Sequence, residues 1–481
     1  MRFQIIQNNL ALGGFAPAWY NETYPSYGNK NNAGDMTNID MTNAGYICQG
    51  PGLATLTDGD QDGAVTTLIK GAEDRSITSD TTYGVGGNQL YQISSTAVAN
   101  AGIWPHTIDK AAVTGELGED VAYYQGKIYY SYNHSSSAGD IGQYDLATTF
   151  DDDWGSTSPS GATALGDNPH PMVVGGADDI LYIADGQYVA SYDGTNYVSQ
   201  AIDLPANNVI TSLAWSSDRL WMAANSPDLT GSNKNSASIF IWDGTTNQFE
   251  SEIRVMGRVG GLHVKNGVVF VFFQDITSTG GYKLGYVNGS GITELANFTG
   301  SLPEFHQISD YKDFIIWNSS GEIWAYGSGD RDLPARLFQI ADGGHATGGA
   351  LFCPFGTPMT ASWDDSTNYK LAKFSGYDVN SDWKGMTFDI TANQLVSSLN
   401  FMVITFEALA TGARVDWSIK NNKGTTLIND NISFGKLGAA TSIRVPLNDL
   451  VTENFRLELD YSNGDTTNTV KIKTIKIYGT N

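Results

Sequence analysis

One phrase returns along most of this chain: a short alternating strand, a turn, then a second strand ending in an aromatic residue followed by Asp, Asn or Gly. It reads ILYIADGQYVASYDG at Ile180 to Gly194, and LWMAA with IFIWDG at Leu220 to Ala224 and Ile239 to Gly244. It returns as VVFVFF with YKLGYVNG at Val268 to Phe273 and Tyr282 to Gly289, and as FIIWNSSGEIWAYG at Phe314 to Gly327. Further copies run from Met359 to Gly376, from Ile128 to Asp145 and, more weakly, from Tyr83 to Ile93. Successive terminal turns lie 48 residues apart (Asp145 to Asp193), then 50 (Gly194 to Gly244), 45 (to Gly289), 38 (to Gly327) and 49 (to Gly376). Period-2 alternation, turn residues between runs and a repeat of this length are what four-stranded propeller blades require, and a missed repeat would misassign the whole fold. Few segments show a 3.6-residue period with caps, so helix competes poorly. The expected fold is all-β: a β-propeller of about seven blades over residues 38–376, followed by an antiparallel β-sandwich.

The sandwich is expected because the blade phrase stops after Gly376. Residues 377–481 read as six or more strands bounded by Gly, Asn and Asp turns, among them Ser397 to Glu407, Arg414 to Lys420 and Asn454 to Tyr461. The charge changes at the same point. Residues 377–481 hold 10 basic and 11 acidic side chains against 17 and 40 in the first 376, so nearly all of the net −24 belongs to the repeats. Residues 1–37 place Trp19, Tyr20, Tyr24 and Tyr27 among Asn, Gly and Pro, which reads as an extended aromatic arm that must pack on something.

Composition excludes several classes. With 41% apolar residues the acidity does not signal disorder. A surface this negative repels phosphate, so sequence-specific nucleic-acid binding is not expected. No apolar run reaches 18 residues, and Met1 to Tyr20 breaks its apolar residues with Gln7, Asn8 and Asn9, so neither a membrane span nor a signal peptide is expected. Cys48 and Cys353 read as small buried hydrophobes.

Asn38 to Thr57 (NIDMTNAGYICQGPGLATLT) followed by Tyr83 to Tyr91 (YGVGGNQLY) resembles the start of propeller-bearing structural proteins of tailed bacteriophages, where a GY…GPG strand leads into a YxxGGxxLY hairpin and a β-sandwich closes the chain. Such proteins serve as tail hubs or nozzles, or as tip and side appendages. The resemblance implies a non-enzymatic virion component, assembled in the host cytoplasm, that contacts other tail proteins and forms homo-oligomers. It supplies no catalytic residues.

Chemical motifs give candidates of different kinds. Asp58 to Ile69 (DGDQDGAVTTLI) matches the D-x-D-x-D-G pattern of calcium loops, in which Asp58, Asp60 and Asp62 could present oxygens to one hard cation. Its twelfth position is Ile69 instead of Glu and its flanks read as strand, so a solvated hairpin turn is the favoured reading, and no other cofactor is indicated. Asp151 to Asp153 and the Asp364–Asp365 pair read as exposed turns. His170 and His306, near the starts of inner strands, could converge with His345 on an axial channel. No G-x-S-x-G, H-E-x-x-H or Walker loop occurs, and among 51 acids no glycosidase pair stands out, so no enzyme is expected and a glycoside hydrolase is only the remote alternative. The rival is carbohydrate recognition of a host-surface glycan by the loop aromatics Trp19, Tyr20, Trp104 and Trp154.

Overall fold

A computed structural model describes residues 2–8, 33–40, 46–60, 62–110, 115–135, 138–166, 169–176, 179–226, 236–275, 281–327, 335–339, 348–363, 369–378, 380–385, 388–389, 398–452 and 454–480. Strand is nearly the only regular secondary structure among them. Seven four-stranded sheets follow one another. The first joins Gly71–Ala72, Thr82–Gly86, Gln89–Ile93 and His106–Thr107, and the second Glu116–Tyr124, Lys127–His134, Asp140–Tyr144 and Phe150–Asp151. The third to fifth begin at Met172–Gly175, Val209–Ser216 and Gly257–Lys265, and the sixth at Ile308–Tyr311. In each of these six the strands pair in chain order. The seventh takes Leu351–Phe352, Met359–Trp363 and Tyr369–Tyr377, then draws its fourth strand, Pro51–Asp60, from the beginning of the chain.

The repeat marker of the sequence has a backbone reason. Gly194, Gly244, Gly289, Gly327 and Gly376 all have positive φ, between 63° and 134°. That region costs glycine little and a side-chain-bearing residue more, so the terminal turn keeps glycine while the strands around it vary.

Two compact units result. One comprises residues 55–321 and 342–373, the other residues 1–54, 322–341 and 374–481. In the larger unit each apolar cluster is shared by neighbouring sheets. Tyr83, Val85 and Leu90 of the first sheet meet Val121, Ile128 and Tyr130 of the second. Tyr124 and Ile141 meet Leu181 and Ile183, Tyr182 and Val189 meet Leu220 and Met222, and Ala223 and Ile239 meet Val259 and Val271. Trp317 of the sixth sheet packs on Phe272 and Phe298 of the fifth and donates from Nε1 to Tyr282 Oη at 2.7 Å. Leu56, Met359 and Leu371 of the seventh then share a cluster with Ile69, Tyr91 and Ile93, at and within the first. This succession of faces is propeller-like.

In the other unit two sheets contribute to one core. Met402, Ile404, Ile475 and Ile477 come from the sheet built on Ser398–Phe406 and Ile472–Thr480. Val415, Trp417, Ile419, Leu457 and Leu459 come from the sheet built on Arg414–Lys420 and Asn454–Asp460. Strict alternation explains the two faces: in Arg414–Lys420 every second residue is buried and the rest are partly exposed.

The described parts of the arm expected over residues 1–37 pair with C-terminal strands of this unit. Arg2–Asn8 pairs with Ile472–Thr480, and Ala33–Thr37 pairs with Asp382–Gly385. Ile39–Asp40 pairs with Cys48–Gln49, and Ile47 bridges Ile472, so the segment expected to open the propeller at residue 38 packs with the C-terminal strands instead. An unpaired strand edge gains hydrogen bonds from any segment that can reach it, and the chain start supplies such segments.

Candidate functional site

The first strands of the sheets in the larger unit carry a recurrent irregularity. Register shifts occur between Gly118 and Asp120, between Ile210 and Ser212, and between Val259 and Gly261. Each leaves one residue out of the ladder: Glu119, Thr211 or Gly260. A bulge re-aims its extra residue, and all three line one recess of about 560 Å³. Lys70, Arg258 and the segment from Gly300 to Phe305 complete its wall.

Beside each bulge a polar side chain bonds the backbone of a neighbouring sheet. Glu73 Oε2 accepts from Tyr123 N at 2.7 Å. Asp120 Oδ2 accepts from Met172 N at 2.7 Å, while its Oδ1 accepts from Val121 N at 2.8 Å. Ser212 Oγ accepts from Leu262 N at 2.9 Å, and the Asn225 side chain exchanges two hydrogen bonds with the Val259 backbone. Asp74 Oδ1 accepts from both Cys353 N and Ser309 Oγ, at 2.7 and 2.8 Å. Each of these bonds gives a main-chain N–H of one sheet its partner on another, so these side chains hold sheet to sheet.

Electrostatics follow from burial. Asp120 is pushed up to about 8 because loss of water outweighs its two N–H donors, with Glu73 and Glu119 adding repulsion. Asp74 is raised for the same leading reason. Lys70 Nζ lies 3.1 Å from Glu119 Oε1. His306 is pushed down to about 3 by burial and by the Lys70 charge, so its ring is neutral at pH 7 although Glu304 Oε2 lies 3.7 Å away. The recess therefore offers one ion pair, the exposed Arg258 guanidinium and several hydroxyl and backbone groups to a small polar ligand.

The structure separates the sequence candidates. His170 is fully buried, its ring nitrogens 2.9 and 3.1 Å from the carbonyls of Ala184 and Gly166, and His345 lies outside the described residues. Asp58 and Asp60 end the closing strand, where Ala64 N donates to Asp58 O and Gly63 N to Asp60 O. A Cβ on Gly63 would lie 2.5 Å from Asp58 Cα, which explains the glycine of the motif without a ligand. Among the described residues no group of three or more His, Cys, Asp or Glu side chains, Asp58, Asp60 and Asp62 included, is gathered to hold a metal.

The aromatic candidates change role. Trp104 is buried against Tyr83, Tyr144 and Phe150, with ring centroids 5.3–5.7 Å apart. Trp154 opens a short helix, Trp154–Thr157, and packs on Tyr129 and Tyr192, both at 4.9 Å. Neither presents a face to solvent, because a large apolar surface in a connection gains more from the adjoining sheet core. Trp19, Tyr20 and the Asp364–Asp365 pair lie outside the described residues. Asp152, expected in an exposed turn, accepts from Asp109 N at 3.0 Å, meets His106 Nε2 at 2.9 Å and bonds the Tyr130 hydroxyl. The bulge-lined recess itself was missed. Its signal was a doublet of small or acidic residues in the first strands: Glu119–Asp120, Thr211–Ser212 and Gly260–Gly261.

No protein-family model and no curated protein matches the chain. Among solved structures it is similar to the exo-beta-1,3-galactanase of Phanerochaete chrysosporium with galactose, at 10% identity over 89% of this chain and 100% of that one, TM-score 0.32. It is also similar to the extracellular domain of a hybrid two component system of B. thetaiotaomicron, at 10% identity over 87% and 57% of the two chains, TM-score 0.48. The soluble aldose sugar dehydrogenase of Escherichia coli is 12% identical over 67% and 99%, TM-score 0.38. Similarity of this degree carries no argument for activity or ligand, and the functional reading rests on the chain's own residues.

Proposed function

We propose that the protein is a non-enzymatic structural component of a tailed-phage virion, a tail hub, nozzle or peripheral appendage that works through protein–protein contacts. Its architecture on this reading is a seven-bladed propeller joined to a C-terminal β-sandwich. The observation that carries the reading is the weaving of the chain start into late strands: Arg2–Asn8 onto Ile472–Thr480, Ala33–Thr37 onto Asp382–Gly385, and Pro51–Asp60 into the seventh sheet. Closing a sheet with a distant strand protects its edges and stiffens it. A particle part that must outlast its host cell needs that kind of rigidity. The resemblance at Asn38 to Thr57 and Tyr83 to Tyr91 supplies the setting, and the acidic repeats limit unwanted association.

The test is mass spectrometry and imaging of purified particles from the phage that encodes the chain. The reading expects stoichiometric copies at the tail, and a ring of copies about the tail axis identifies a hub or nozzle. Absence from the particle rejects the reading.

A further inference from the structure

The outer face of the sheet built on Asp382–Gly385, Asn454–Asp460, Arg414–Lys420 and Thr426–Ser433 forms a groove of about 900 Å³, within the range of small-molecule sites. The pairing register lays out its floor in two rows. Lys384, Glu458, Ser418 and Asn429 form one row, and Asp382, Asp460, Asp416 and Asn431 form the next. Alternation makes this face polar because the odd-numbered partners Val415, Trp417 and Ile419 fill the core.

Three aspartates side by side across strands would repel one another, and like charges directly opposite destabilise a sheet. Cations on the same face offset two of them. Arg414 Nη2 lies 3.0 Å from Asp416 Oδ1, and Lys384 Nζ 3.4 Å from Asp382 Oδ2. Glu458, whose side chain is only 10% exposed at the groove floor, is held by Lys420 and Arg456, both at 2.6 Å. Asp416 also accepts from Asn463 Nδ2 at 2.6 Å, and Asp460 from Ser462 N at 2.8 Å.

Charges so paired cancel within the plane of the face, which leaves a dense lattice of donors and acceptors with little long-range field. An anionic ligand would have to draw a cation such as Lys420 out of its pair and leave a buried charge such as Glu458 to bear the desolvation cost. Hydroxyl groups can donate to the spare carboxylate lone pairs and accept from the spare N–H groups without disturbing any pair. We propose that this groove binds a neutral oligosaccharide. The inference stands apart from the virion reading, and moves carbohydrate recognition from loop aromatics to a polar sheet face.

The experiment presents the full chain to an array of neutral glucose-, galactose-, mannose- and N-acetylglucosamine-based oligosaccharides, with a heparin fragment and polyglutamate as charged probes. The strongest neutral hit is then measured by calorimetry against Asp460→Ala and Asn429→Ala, both at exposed positions and checked for unchanged melting. The proposal expects a neutral hit, weakened about tenfold by each variant and nearly insensitive to salt between 50 and 500 mM. Retention of no neutral oligosaccharide, binding unchanged in both variants, or preference for a charged probe with steep salt dependence overturns it. Each of these outcomes is distinct from absence of the chain from a phage particle.

Discussion

The two units solve the problem of polar groups in opposite ways. In the larger unit carboxylates and amides are drawn inside, where Glu73, Asp74, Asp120 and Asn225 bond the backbone of a neighbouring sheet. In the other unit the two sheets share an apolar cluster, and ionisable residues lie at the surface in pairs such as Arg414–Asp416 and Lys436–Asp430. Buried carboxylates bind sheets together but tie stability to protonation, whereas surface pairs contribute little and respond weakly to pH. The difference separates a unit whose stability should follow pH from one whose stability should follow apolar packing.

The largest effect should come from the apolar core. Trp417→Ala removes a side chain that is 2% exposed, and should cost about 3–5 kcal/mol. Hydrogen exchange should show the loss in residues 398–480 and leave residues 116–275 protected. Comparable deprotection of both would break the contrast.

The pH response comes next. Asp120 titrates near 8 in the folded chain and near 4 when unfolded, so the folded state holds its proton more tightly. That contribution is fully present below about pH 4 and is lost as pH rises through about 8. Each pH unit in that window can cost up to roughly 1.4 kcal/mol. Thermal melts from pH 5 to 9 should show the larger unit weakening, and Asp120→Asn should flatten the slope. A slope unchanged in the variant would shift the response to other groups, Asp74 first among them.

A smaller change tests the partly buried turn at Asp152. Asp152→Ala removes the acceptor of the Asp109 N–H and releases His106 and the Tyr130 hydroxyl, which should lower stability by about 1–3 kcal/mol in denaturant titration. At the motif of Asp58 to Gly63, Gly63→Ala should destabilise through its clash with the Asp58 backbone. Asp60→Asn with Asp62→Asn should change the melt little, with or without millimolar calcium. A calcium-induced rise in melting that this double variant abolishes would restore the metal reading. The smallest effect belongs to Arg414→Gln, at about 0.2–1 kcal/mol and fading with salt.

What was legible in the sequence was what is encoded locally. Alternation and the turn glycines from Gly194 to Gly376 announced the four-stranded sheets because strand period and positive φ are properties of a few consecutive residues. The pairing of Arg2–Asn8 with Ile472–Thr480 was illegible because an edge strand joins residues from opposite ends of the chain and needs only a compatible edge. Trp104 and Trp154 misled because a connecting segment can fold its aromatic back onto a sheet, and loop position says nothing of that. The recess escaped notice because a bulge is a relation between two strands, so Glu119, Thr211 and Gly260 share an environment without sharing a chemistry.

The seventh sheet also has a consequence for synthesis. Pro51–Asp60 is made long before Tyr369–Tyr377, the strand it must join. Until translation passes that point the early strand waits without its partner, and the apolar cluster of Leu56 with Leu371 and Met359 cannot form. Pairing of such long sequence separation is slow and leaves unfinished chains open to aggregation. A chain broken off before Tyr369 would lack the completing strand altogether and leave Leu56 without Leu371 to pack on.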